Sequence, residues 1–337
     1  MTSPGVIEFR NVSSPGNLKP DEILLRIRRI GICGSDIHVY YGKHPFTSYP
    51  VVQGHEYSGV IEAVGEAVKK ARPGMKATAR PQLVCGVCGP CKRGQYNVCQ
   101  NLKVQGFQAP GCAQEFFVVP EDRLVVFPEN MSLEQGALVE PASVGAHSTK
   151  RAYELTGKNV VVTGAGTIGN MIAQFAKARG ASKVLITDIS DFRLNIAEQC
   201  GVDYTANVNR ESFKEAVKRV FGNEGFQVGF EAVGTQDTLD SLINNIEKGS
   251  EIVVAGVFEK PPVIGMSIVV EHELKIIGTM MYKHEDYEDA VRFISEGKII
   301  TDPLVTKHFP FENYLDAYKY IHEQRDKTLK VMIDLNF

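Results

Sequence analysis

The chain is 337 residues long, which at roughly 150 residues per domain implies about two domains. Its 43% apolar and 23% charged residues are those of a globular protein, and a formal net charge of -3 gives no case for nucleic acid or an anionic membrane surface as a partner. No apolar run approaches the ~18 residues of a membrane span. The opening MTSPGVIEFR lacks the basic segment and apolar run of a secretion signal, so the expected location is cytoplasmic. Seven cysteines, an odd count, argue against a disulfide framework and make metal the default reading of any cluster among them.

Along the chain, Val6–Phe9, Ile23–Ile30 and Val51–Val64 carry β-branched or alternating apolar patterns between turn residues and predict strands. Gly54, Gly59 and Gly65 stand where strands bend or approach something closely. Cys85-x2-Cys88-x2-Cys91-x7-Cys99 follows, with Gly86, Gly89, Pro90 and Gly94 to make the turns. Four thiolates around one tetrahedral ion leave no open position, which predicts a structural zinc. An iron–sulfur cluster competes, because close cysteine spacing suits clusters too. A zinc-ribbon module for nucleic acid is disfavoured, since Lys92-Arg93 is the only basic pair within the cysteine segment and no aromatic stacking platform accompanies it.

From about Leu133 the periodicity turns helical. Glu140–Glu154 predicts a helix, Asn159–Thr163 a buried strand, and Ile168–Arg179 an apolar helix stopped by Gly180. A strand over Lys183–Thr187 ends at Asp188. Helices over Phe192–Cys200, Glu211–Phe221 and Thr235–Ile246 then alternate with strands over Phe226–Glu231 and Glu251–Val257. Such alternation predicts a doubly wound parallel sheet. The tail carries a strand Lys275–Gly278, a helix Glu285–Glu296 and a strand Leu329–Leu335, and is expected to return to the first domain.

Between the first strand and helix of the α/β region lies Gly164-Ala165-Gly166-Thr167-Ile168-Gly169, and Asp188 closes the next strand. A lone GxGxxG is weak evidence; directly after a buried strand, opening a helix and followed by an acid at the next strand end, it is a strong dinucleotide signal. Gly164 serves the tight turn, Gly166 the approach of the pyrophosphate, and Gly169 the close packing of helix on strand. The helix N-terminus presents unpaired N–H groups to the phosphates. Asp188 accepts from the adenosine ribose hydroxyls and repels a 2′-phosphate, which favours NAD over NADP, while Arg193 near the adenine edge softens that preference. A glycine turn of another α/β enzyme, such as a methyltransferase, is the competing reading. Val233, Gly256 and Val257 are further candidate cofactor positions.

Three more segments hold metal-ligand residue types: Cys33 with Ser35, Asp36 and His38; His55-Glu56; and Glu140 in Val139-Glu140-Pro141-Ala142. Each alone is bland, since a buried cysteine is usually a small hydrophobe and His-Glu after a strand is usually loop chemistry. Together they supply a thiolate, an imidazole and carboxylates, the donor set of an open catalytic zinc site.

With GICGSDIH, GHEYSGVIEAVG, the four-cysteine lobe, LVEPASVGAH and VTGAGTIG with Asp188 in this order, the whole chain resembles the zinc-dependent medium-chain alcohol dehydrogenases, in their polyol (sorbitol) dehydrogenase-like branch. The resemblance implies a GroES-like β-rich catalytic domain over 1–145 and 275–337, with a structural-zinc lobe at 85–99. It further implies an inserted Rossmann domain over 146–274, an active site in the cleft between the two, and two zinc ions per chain. Cys33 and His55 match the catalytic zinc ligands. Glu56 matches a carboxylate that binds zinc or swings in during the cycle, and Glu140 the acid typical of polyol dehydrogenases; which of them completes the resting shell stays open. Ser35 matches the hydroxyl that relays the substrate proton, and His38 its continuation to solvent. Cys85, Cys88, Cys91 and Cys99 match the structural site. At the N-terminus the family's opening strand is expected to be missing or shortened.

The implied reaction is hydride transfer between NAD and a secondary alcohol of a polyol or sugar acid. A carboxylate ligand suits a hydroxylated substrate, and the loop Tyr40–Phe46 with its continuation is similar to L-galactonate and L-idonate dehydrogenases. Lys43, His44 and Arg80 are candidate partners for a carboxylate or phosphate on the substrate. L-Threonine 3-dehydrogenase-like chemistry is the alternative within the enzyme class, and a zinc-ribbon interaction protein on an inactive scaffold the alternative outside it. The resemblance also implies a homodimer or homotetramer, with Val263–Val270 as a candidate edge strand for pairing.

Overall fold

The structure, a computed structural model, describes residues 1–336. It divides into two compact units. The first comprises residues 1–140, 283–295 and those from Val305 on; the second comprises residues 141–282 and 296–304.

The first unit is organised by one long strand, β1 (Glu22–Ile32). Ile23, Leu25 and Ile27 face the core, and a register shift between Ile27 and Arg29 resets the alternation so that Ile30 is also buried. β2 (Glu56–Val64) runs antiparallel along β1 with Glu56 opposite Gly31. That register sets Cys33, just past the end of β1, beside His55, just before the start of β2. β3 (Lys76–Ala79) continues the sheet; β4 (Gln82–Leu83) and β5 (Lys103–Val104) pair to close the base of the cysteine lobe. β6 (Phe116–Pro120) pairs with the first half of β1, and β7 (Leu124–Val126) with β3.

The second unit holds β8 (Asn159–Thr163), β9 (Lys183–Asp188), β10 (Tyr204–Asn207), β11 (Val228–Glu231), β12 (Glu251–Val254) and β13 (Lys275–Gly278). All pairings are parallel, in the order β10-β9-β8-β11-β12-β13. Every residue of β8 is buried, with Val160 and Val162 in one core cluster and Val161 in the other. Burial on both faces explains the continuous apolar run that marked this strand in the sequence. The chain then returns to the first unit, where β14 (Val305–Pro310) and β15 (Lys330–Asp334) complete the sheet in the order β14-β15-β1-β2-β3-β7. β15 lies antiparallel to the second half of β1, with Val331 opposite Ile32.

Several sequence expectations differ from these elements. Val6–Phe9 is not a strand; Val6 makes only an isolated bridge to Ser3, and Val6 and Phe9 are exposed while Ile7 alone packs on the core. The strand expected over Val51–Val64 begins only at Glu56, because Gly54 turns the backbone at φ 91°. Lys275–Gly278 belongs to the parallel sheet of the second unit, where Ile276 and Ile277 pack on opposite core clusters beside β12. The expected boundary at 274/275 therefore falls too early. The other boundary falls within the helix Val139–Arg151, after Glu140. The candidate edge strand Val263–Val270 is instead a helix over Met266–Glu271: Ile268 and Val269 pack on the core while Met266 and Val270 face out. The sheet edge is β13. The short strand β10 carried no sequence signal strong enough to predict it.

Candidate active site

Past the end of β1, Cys33 caps the helix Gly34–Tyr40. Asp36 in its first turn is buried, and its Oδ2 accepts from the Cys33 backbone N–H at 2.9 Å. The other carboxylate oxygen faces His55 Nδ1 at 3.4 Å. A carboxylate behind the far ring nitrogen is how metal-binding histidines are oriented, leaving Nε2 for the ion. Burial alone pushes the His55 imidazole down, but the Asp36 carboxylate, with help from Cys33, outweighs it and holds the group well above its usual pKa. Cys33, His55 and Glu56 bring their donor atoms within 4.8 Å of one another. Thiolate, imidazole and carboxylate at this spacing fit one zinc ion with a position left for substrate. Glu140 is buried at the start of the helix Val139–Arg151 and lies outside this set, although its charge acts on Lys330.

Lys330 was not singled out in the sequence. Its ammonium is buried and donates to both oxygens of Glu56, at 2.6 and 2.8 Å, and to the Ile32 carbonyl at 3.1 Å. Burial pulls its pKa down, but Glu56, with Cys33 and Glu140, raises it above the ordinary value. Ser35 Oγ lies 3.6 Å from the Cys33 sulfur, and His38, one turn on along the same helix, is exposed. His44 stacks on Phe107 with ring centroids 4.6 Å apart, and Phe107 lies 4.8 Å from the His55 ring. Lys43 is exposed on the adjoining turn. Arg80 is buried and serves the fold: it donates to His284 Nδ1 at 3.1 Å and to the Asp122 carbonyl at 3.0 Å.

In the cysteine lobe the four sulfurs also lie within 4.8 Å of one another, and no disulfide links them. Cys99 Sγ is 3.5 Å from Cys85 Sγ and 3.9 Å from Cys88 Sγ. Sulfurs about 3.8 Å apart are what a tetrahedron with ~2.3 Å metal–sulfur bonds requires. That cage is too tight for a multi-iron cluster. Backbone N–H groups of Val87 and Cys88 lower the Cys85 thiol to about 6, and those of Cys91 and Gln100 lower Cys88, while desolvation and the neighbouring sulfurs push Cys91 up to about 12.

In the second unit, Gly164 turns the chain out of β8 at φ 93°, and Gly166 caps the helix Thr167–Ala178 with open space where a side chain would stand. A Cβ on Gly169 would collide with the Gly164 carbonyl, so the third glycine is required by close approach of helix and turn. Thr167 and Ile168 form the first helical turn above Gly166. Asp188 braces the motif itself, accepting from Ala165 N at 2.7 Å and from Ser190 N at 2.9 Å. Arg193 sits in the following helix with its Nε buried and without a hydrogen-bond partner. Val233 and Val257 are exposed apolar residues beyond the ends of β11 and β12, and Gly256 precedes Val257. Asp36 and Lys330 are the supporting residues that sequence reasoning passed over as site members; the spacing of Asp36 within GICGSDIH was the available signal for the first.

Residues 19–129 match the alcohol dehydrogenase GroES-like domain, and residues 167–296 match the zinc-binding dehydrogenase family. The chain is 32% identical to an L-threonine 3-dehydrogenase of Protochlamydia amoebophila, covering 95% of this chain and 94% of that one. It is 34% identical to sorbitol dehydrogenase 1 of Saccharomyces cerevisiae, over 93% and 91% of the two chains. Among solved structures, an alcohol dehydrogenase from Escherichia coli CFT073 complexed with NADH superposes with a TM-score of 0.90 at 28% identity, covering 99% of this chain and 97% of that one. The chain therefore belongs to the zinc-binding, medium-chain alcohol dehydrogenase family, GroES-like domain and Rossmann domain together. It is an oxidoreductase of that zinc-dependent family. Among the described residues no helix is long and apolar enough to cross a membrane.

Gly169→Ala tests the motif. The forced separation of helix and turn should raise the NADH dissociation constant by at least about tenfold and lower unfolding stability by about 1–3 kcal/mol, as overpacking does. Calorimetric titration and thermal melting would read both, and unchanged NADH affinity would contradict the close-packing role.

Proposed function

We propose that this enzyme interconverts a secondary alcohol of a polyol or sugar acid and the corresponding ketone, with NAD as the hydride acceptor. The observation that carries the reading is the convergence of Cys33, His55 and Glu56 beside the helix that bears Ser35 and His38. Cys33 and His55 would hold the catalytic zinc with a carboxylate, Glu56 within the donor set and Glu140 contributing a second acid. Cys85, Cys88, Cys91 and Cys99 would hold the structural one. Zinc bound at the open site supplies polarisation of the substrate hydroxyl, lowering its pKa toward neutrality, and NAD supplies the acceptor carbon.

The remaining work falls to the chain's own residues. Ser35 Oγ accepts the hydroxyl proton. His38, at i+3 on the same helix face and open to solvent, passes it out, a task suited to an imidazole. A carboxylate beside the thiolate and imidazole makes the site more polar than a two-thiolate one and favours a polyhydroxylated substrate over a simple alkanol. His44, held by Thr47 and stacked on Phe107, is placed to contact that substrate, and burial lowers its pKa so that it acts as a neutral hydrogen-bond partner. Asp188 supports NAD over NADP, because each of its oxygens retains a lone pair for a ribose hydroxyl and its charge opposes a phosphate there. A homodimer or homotetramer is supported by β13, a sheet-edge strand flanked by exposed Val263, Met266, Val270 and Met280.

A panel of polyols, aldonates, L-threonine and simple alkanols, assayed with NAD and NADP, tests the reading. The expected result is turnover on a polyol or aldonate with NAD; turnover on L-threonine alone would favour the amino-alcohol alternative, and on alkanols alone would overturn the substrate class. In the same assay Ser35→Ala should lower kcat by about 100-fold or more, the usual worth of a proton-transfer group, while zinc content stays at the wild-type level. Near-normal turnover would remove Ser35 from the relay.

A further inference from the structure

Glu231, the last residue of β11, is completely buried at the C-terminal end of the parallel sheet. It lies level with Thr163 of β8, which precedes Gly164, and with Val254 of β12. One of its oxygens, Oε1, accepts three hydrogen bonds: from Val233 N at 2.9 Å, Gly234 N at 2.9 Å and Thr238 Oγ1 at 2.8 Å. The other, Oε2, is buried without a hydrogen-bond partner and lies so close to Gly256 that a Cβ there would strike it. The Glu231 backbone carbonyl accepts from Ala255 N at 2.8 Å and Gly256 N at 3.0 Å. Gly234 sits at φ 85°, and a Cβ on it would strike the Val257 carbonyl. The side chain thus fixes the turn Val233–Gly234, which packs closely against Val257, while the backbone carbonyl of the same residue holds Ala255 and Gly256.

An apolar residue here would leave the Val233 and Gly234 N–H groups and the Thr238 hydroxyl without this acceptor. The turns Glu231 fixes leave Val233 44% and Val257 84% exposed, apolar surfaces turned outward at the sheet end. The Gly164 turn follows β8 and Asp188 closes β9, so the adenosine half of a dinucleotide lies to the β9 side and the other half falls over β11 and β12. We propose that Glu231 is a positioning residue that holds Val233, Gly256 and Val257 in the posture receiving the nicotinamide half of the cofactor. This inference rests on the dinucleotide-site reading above.

The test is calorimetric titration of the full-length zinc-loaded enzyme with NADH and, separately, with ADP, which probes the Asp188 side alone. Glu231→Ala should weaken NADH by about tenfold or more with ADP affinity within about twofold, and should raise the KM for NAD while kcat at saturation stays within about threefold, the pattern of lost uniform binding. Glu231→Gln keeps an acceptor for the three donors and should restore NADH affinity to within about threefold of wild type. If Glu231→Ala does not fold, Thr238→Val, which removes one donor, should weaken NADH by about twofold to fivefold and leave ADP unchanged. Equal losses of NADH and ADP, or no loss of either, would overturn the inference while leaving the cofactor site standing. Wild-type protein that bound neither ligand would overturn the site reading and the inference with it.

Discussion

The buried pair of Lys330 and Glu56 joins three strands beside the candidate metal-ligand residues Cys33 and His55. Glu56 opens β2, Ile32 ends β1, and Lys330 opens β15, 274 residues from its partner. The ammonium satisfies both carboxylate oxygens and the Ile32 carbonyl. It also offsets part of the negative charge that Cys33, Glu56 and Glu140 concentrate nearby. Such a pair costs about 3–5 kcal/mol to break from one side, because the remaining charge is left buried and unpaired. The return of the chain's tail to the first unit thus delivers the cation that steadies the candidate metal-ligand residues.

Two other constraints align the donor atoms around this pair. The irregular register of β1 keeps both halves of the strand facing the core, so Cys33 emerges beside His55. Asp36 then ties the two together, bonding the Cys33 backbone and facing the His55 ring. Strand register places the candidate donor atoms and electrostatics orients them. The second unit works by a different principle: close backbone approach at Gly164, Gly169, Gly234 and Gly256 shapes the strand ends, with Asp188 and Glu231 acting as carboxylate braces on either side of β8.

Local features of the chain were legible in the sequence, and features made by distant contact were not. The glycine motif, the cysteine lobe and the alternation from Asn159 to Val254 depend on spacing within a few residues, and their elements lie close to where the pattern puts them. Cys33, His55 and Glu56 were singled out by residue type and then by the resemblance of their flanking segments to a family, and the strand register brings them together. Lys330 left no local mark, since a lysine in a short apolar strand reads as an edge residue until its partner is known. Val263–Val270 reads as a strand by its β-branched content, but the core contacts of Ile268 and Val269 select a helix. Arg80 looked available for substrate, yet its donors are taken by His284 and Asp122.

In the proposed function Cys33, His55 and a carboxylate form an open metal site distinct from the closed cysteine cage. Zinc stoichiometry by elemental analysis of wild type, Cys33→Ser and Cys91→Ser tests it most directly. About two ions per wild-type chain and about one in each variant are expected, with Cys33→Ser inactive but folded and still binding NADH. A wild-type chain carrying one ion that Cys33→Ser retains would contradict it.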